Sequence, residues 1–97
     1  MSQQAAWSIY MLDCGDRLYT GIALDPVKRL ASHRSGARGA RFTRAFPPRA
    51  IVYQAAIGAR SLALRAEARL KKLPRSRKLA IVAQQPAAAE LLAMLGL

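Results

Sequence analysis

The sequence predicts an α+β fold: a small three-stranded antiparallel sheet flanked by helices, in the order β-β-α-β-α-α, with one further helix at the C-terminal end. Three observations predict it. Two alternating apolar segments flank the turn Asp13-Cys14-Gly15-Asp16. The pair Asp25-Pro26 then opens a helix. Beyond a β-rich stretch centred on Ile51-Val52-Tyr53, the apolar residues change their spacing from two to the helical three and four.

The first strand is expected over residues 7–13 and the second over 17–22. Gly15 supplies the turn with a residue that takes positive φ without cost. If Cys14 and Gly15 form a two-residue loop, Asp13 faces Asp16, Leu12 faces Arg17 and Tyr10 faces Tyr19. Directly opposed residues project to one side of a sheet, so this register brings two tyrosines together. In the first helix, Asp25 caps and Pro26 suits the first helical position. Val27, Leu30 and Ala31 give its apolar stripe, and Gly36 ends it. Arg29 and His33, four apart, are neighbours on its surface.

Residues 34–48 are basic and contain glycine, and they read as a loop. Arg38, Arg41 and Arg44 recur there every three residues, with Phe42 among them. A third strand is expected over 49–56. Ser61 is the expected cap of a helix running to Leu73, where Pro74 stops it. Ala63, Ala66, Leu70 and Leu73 form its buried stripe. A shorter helix follows over 76–83, and Gln84-Gln85-Pro86 breaks it. The last helix, over 87–95, carries Ala88, Leu91, Leu92 and Leu95 at i, i+3, i+4 and i+7. One domain is expected over 1–97, with a core over 7–82 and a helical extension over 83–97.

Charge narrows the function. The net charge is +11, and fifteen of the sixteen Lys and Arg residues lie between positions 26 and 78, where Glu67 is the single acid. Positive charge this dense repels itself unless an anion is near, and nucleic acid is the leading partner. No apolar run approaches the ~20 residues that span a bilayer, and the first residues lack the basic and apolar regions of a secretory signal. One cysteine, Cys14, builds neither a disulfide framework nor a thiolate zinc site. A cytoplasmic protein, monomeric or weakly dimeric, is expected. There is no phosphate-binding Gly-rich loop and no Cys/His cluster, and one His with one Cys offers little to a nucleophilic triad.

Glu67 borders the apolar stripe of its helix, where an ionised carboxylate needs a partner. Lys71, at i+4, is one candidate. A hard divalent cation is the other, since such ions complete their shell with water and phosphate oxygens. Tyr10 and Tyr19, if adjacent, offer phenols able to orient or deprotonate a water where cations lower the pKa. Arg29 is suited to charge developing on phosphorus, and His33 to proton transfer or phosphate binding.

These residues, in this order, resemble the GIY-YIG nuclease family. Ser8-Ile9-Tyr10 stands where the family has Gly-Ile-Tyr, and Tyr19-Thr20-Gly21 where it has Tyr-Ile-Gly. Arg29 and His33 match the Arg and the His or Tyr of its first helix. Glu67 matches its metal-binding glutamate. The stretches 39–44 and 61–67 resemble short stand-alone bacterial members, which are similar to the N-terminal incision domain of the excision-repair endonuclease. The resemblance covers residues 7–82. It implies a metal-dependent endonuclease acting on DNA, or on RNA, with one Mg²⁺ or Mn²⁺ on Glu67. Tyr19 or Tyr10 would be the base or orienter, and Arg29 and His33 would assist at the phosphate. Arg38, Arg41, Arg44, Lys71 and Lys72 would guide the strand. Ser8 and Thr20 depart from the motif at positions that supply no catalytic side chain in the family. The competing expectation is a nucleic-acid-binding module with little turnover, working with repair or RNA-processing partners.

Overall fold

A computed structural model describes residues 5–35 and 49–97; within the first helix, the side chains of residues 33–35 are not described. The described residues form β1 (Trp7–Asp13), β2 (Leu18–Ala23), α1 (Pro26–Ser35), β3 (Ala50–Gly58), α2 (Arg60–Lys71), α3 (Arg75–Gln84) and α4 (Ala88–Met94). The strands make one antiparallel sheet in the order β2-β1-β3. The α+β prediction and the element order therefore stand.

The central strand β1 separates two cores. Ile9 and Met11, fully buried, pack on one face with Tyr53, Ala66, Leu70, Ile81, Leu91 and Leu95. This larger core joins α2, α3 and α4 to the sheet, so the last helix packs on its own chain. Tyr10 and Leu12 point the other way and meet Cys14, Ala23 and Leu30 beneath α1. The alternation follows from the two-residue period of a strand buried on both sides.

The hairpin register differs from the expected one. The turn spans four residues, closed by the Cys14 N–H donating to the Arg17 carbonyl at 2.9 Å. The Gly15 N–H donates to Asp13 Oδ1 at 2.9 Å, and Gly15 takes φ +82°. Tyr10 consequently pairs with Gly21, and Tyr19 with Leu12. A displacement of two residues keeps every side chain on its face, so the tyrosines are diagonal neighbours rather than directly opposed.

Two further expectations are corrected. Along α1, Val27 is 63 % exposed and Ala31 is exposed, while Leu30 is buried. The helix lies against the sheet through a narrower stripe than its sequence offers. At α2, Ser61 is not the cap: the helix starts at Arg60, and Ala59 holds the cap position without a side-chain bond. The α1 cap is as expected, with Asp25 Oδ1 accepting from the Lys28 N–H at 3.2 Å. Ala63, Ala66 and Leu70 are buried on α2, as its stripe predicts.

Candidate functional site

Tyr10 is the hub of the site. It is 1 % exposed, yet its ring leaves β1 toward β2 because the residue opposite is glycine. A Cβ built on Gly21 would lie 2.7 Å from the Tyr10 hydroxyl oxygen and 3.1 Å from Tyr19 Cε1. The two rings sit 6.3 Å apart between centroids, tilted by 40°. Gly21 is thus a site residue by the space it leaves. A glycine inside a strand is the sequence signal for such a close approach.

Helix α1 adds Arg29, whose N–H is held by the Asp25 carbonyl at 3.0 Å. The Arg29 side chain hydrogen-bonds Tyr10, and Glu67 of α2 acts on Tyr10 electrostatically. Tyr10, Tyr19, Arg29 and Glu67 are therefore brought together from β1, β2, α1 and α2. Burial pushes the Tyr10 phenol up to about 12, with Tyr19 and Glu67 adding to the shift and Arg29 opposing it. Tyr10 accordingly holds its proton at neutral pH. Tyr19 is only half-buried.

The Glu67 carboxylate is one-fifth exposed and meets Lys71 Nζ at 3.7 Å. That pair is long and half-solvated, so it binds the carboxylate weakly. Among the described residues no group of three or more His, Cys, Asp or Glu could hold a metal. One accessible, weakly held carboxylate fits a hard cation such as Mg²⁺, whose remaining ligands are water and phosphate oxygens. Cys14 is no candidate ligand: it is buried, and burial, aided by Asp13, raises its thiol pKa.

His33 follows Arg29 by one turn of α1, but its side chain lies outside the described residues, as do Arg38, Arg41 and Arg44 entirely. Lys71 and Lys72 are exposed at the C-terminal end of α2. Two basic clefts were not anticipated. One, of about 530 Å³, is lined by Ala23, Leu24, Asp25, Lys28, Arg29 and Ser32. The other, of about 260 Å³, is formed by Arg17, Leu18, Arg75 and Lys78, where Arg75 donates to the Asp16 carbonyl at 2.7 Å. Their residues come from separate elements, so only the charge density of the segment hinted at them.

The fold and the converging residues define a class. Residues 6–80 match the GIY-YIG catalytic domain, and the chain belongs to this nuclease-type family. It is similar to a UPF0213 protein of Cupriavidus necator, 43 % identical over 88 residues that cover 90 % of this chain and 95 % of that one. It is also similar to the UPF0213 protein YhbQ of Escherichia coli K12, 42 % identical over 90 residues that cover 92 % and 89 %. Those names state no activity. No solved structure matches the chain. Among the described residues, no helix is long and apolar enough to cross a membrane.

Proposed function

We propose that the protein is a metal-dependent endonuclease that hydrolyses phosphodiester bonds in DNA. The observation that carries this reading is the convergence on Tyr10 of Tyr19, Arg29 and Glu67, from four separate elements. The setting is a chain of net charge +11.

Arg29 faces the scissile phosphate and stabilises the charge that grows on its oxygens. Tyr19, the more accessible of the two, acts as the phenolate and takes a proton from the attacking water, becoming the phenol. Tyr10 stays protonated and orients that water or a phosphate oxygen by hydrogen bonding. Two phenolates side by side would repel, so the raised Tyr10 pKa favours this division of labour. The new P–O bond forms from the water oxygen as the bond to the leaving oxygen breaks, and that oxygen collects a proton. His33, on the helix that carries Arg29, assists this transfer or places the phosphate. Glu67 is the residue that would hold Mg²⁺ or Mn²⁺; the ion, when bound, neutralises phosphate charge and stabilises the leaving oxygen. Arg38, Arg41, Arg44, Lys71 and Lys72 guide the strand through backbone phosphates.

The test is incubation of the purified chain with branched, nicked and single-stranded DNA and with RNA, in Mn²⁺ or in chelator, beside Glu67→Ala. The expected result is cutting that needs the metal and disappears in the variant. Equal background cutting by both proteins, with binding retained, overturns the nuclease reading in favour of a binding module.

A further inference from the structure

A third cleft opens at the end of the sheet where β1 begins and β2 and β3 end. The ladder places these parts together: Trp7 pairs with Gly58, and Ser8 with Ala23. The cleft measures about 560 Å³, within the ~300–1,000 Å³ typical of small-ligand sites. Its lining includes Ala6, Trp7, Leu24, Gly58, Ala59 and Arg60. Leu24 is 52 % exposed. A Cβ on Gly58 would meet nothing within 4 Å, so the wall there is open. The Arg60 guanidinium lies over the indole of Trp7, 5.4 Å from its ring centroid.

The chemistry is that of an apolar slot with an aromatic wall and one cation. Among the described residues, no carboxylate lines it. Leu24 also lines the neighbouring cleft that holds Lys28 and Arg29, so the two clefts meet at this residue. A strand whose phosphate lies at Arg29 would therefore carry its next base over Leu24 toward Trp7. Single strands are held in this manner, by cations tracking the backbone and aromatic rings stacking on bases.

We propose that the cleft between Trp7, Leu24 and Arg60 is a nucleobase subsite, which takes an unpaired base next to the phosphate at Arg29. The inference rests on the nuclease reading for the position of that phosphate. A base inside a continuous duplex is already stacked and cannot enter, so the subsite selects nucleic acid with an unpaired nucleotide beside the cut.

The chain contains one tryptophan, so its emission reports on this cleft alone. The experiment titrates the full chain, in chelator to prevent cutting, with fluorescently labelled octathymidylate. A labelled abasic strand of equal length and charge is the comparison. Anisotropy of the label gives binding, and tryptophan emission gives stacking. The expected result is that both strands bind, that octathymidylate quenches Trp7 and that the abasic strand does not. Leu24→Ser, a change at an exposed position, should weaken octathymidylate binding about tenfold and alter abasic binding less than about twofold. The subsite is overturned if the abasic strand quenches equally, if octathymidylate binds without quenching, or if Leu24→Ser weakens both strands alike. In each of those outcomes the nuclease reading survives. If neither strand binds, the subsite and the nuclease reading fail together.

Discussion

Tyr10 and Gly21 are direct partners in the β1–β2 ladder, and the tyrosine hydroxyl occupies the space that a side chain at 21 would fill. Gly21→Ala therefore forces a ring that is 1 % exposed to move, with Tyr19 close behind it. The overpacking should cost ~1–3 kcal/mol. Displacing the hub should lower kcat about a hundredfold, since catalysis tolerates misplacement of ~1 Å poorly. Denaturant midpoints and single-turnover cutting check the two parts. A variant that cuts normally would show that the close approach is incidental.

The Tyr10 phenol also makes a prediction at alkaline pH. In the unfolded chain it ionises near ~10, whereas in the folded protein burial holds it to about 12. Below the unfolded value its contribution to stability is whole. Between the two values the unfolded chain releases a proton that the folded one keeps, so stability falls as pH rises through this window. Tyr10→Phe should flatten that fall. Urea midpoints at pH 8 and pH 11, compared between wild type and variant, measure it. Parallel declines in both proteins would contradict the assignment.

On the opposite face, the buried Tyr53 hydroxyl donates to the Pro86 carbonyl at 2.8 Å, fixing the segment that leads into α4. Tyr53→Phe orphans that carbonyl and should cost ~1–2 kcal/mol, lowering Tm by roughly 5–10 °C. Cutting measured well below the new Tm should be unchanged, because Tyr53 and Tyr10 project to different sides of the sheet. A large loss of activity at full folding would refute that separation.

Lys71 and Lys72 should act on binding alone. Each change to alanine should reduce the salt slope of DNA affinity by ~1, uniformly across sequences. The Lys71–Glu67 pair is long and half-solvated, so Lys71→Ala should change stability by less than ~1 kcal/mol. Affinity measured across a salt series, with a thermal melt beside it, tests both statements.

Local signals carried most of the fold. Asp25-Pro26 and Pro74 mark helix boundaries through backbone chemistry that needs no tertiary partner, and the β1 boundaries follow from alternation alone. The hairpin register was less legible, because a single hydrogen bond from Gly15 to the Asp13 side chain, with closure from Cys14 to Arg17, lengthens the turn by two residues. Ser61 misled for a similar reason: the chain turns into α2 at Gly58, with φ +129°, and Ala59 takes the cap position two residues before Ser61. Val27 has the right period but stays exposed. Within the site, Tyr10, Tyr19, Arg29 and Glu67 were legible as a set through the family resemblance. Trp7, Leu24 and Arg60 were not, since they meet only when three strand ends come together.

β1 has its alternate residues in different cores: Ile9 and Met11 in one, Tyr10 and Leu12 in the other. A saturation scan along this strand should consequently read as a two-beat rhythm, in which one set of positions tunes how long the protein survives heat and the interleaved Tyr10 tunes what it does. The six-ångström spacing of the two rings answers to the second beat, because both rings lie on the Tyr10 face of the sheet.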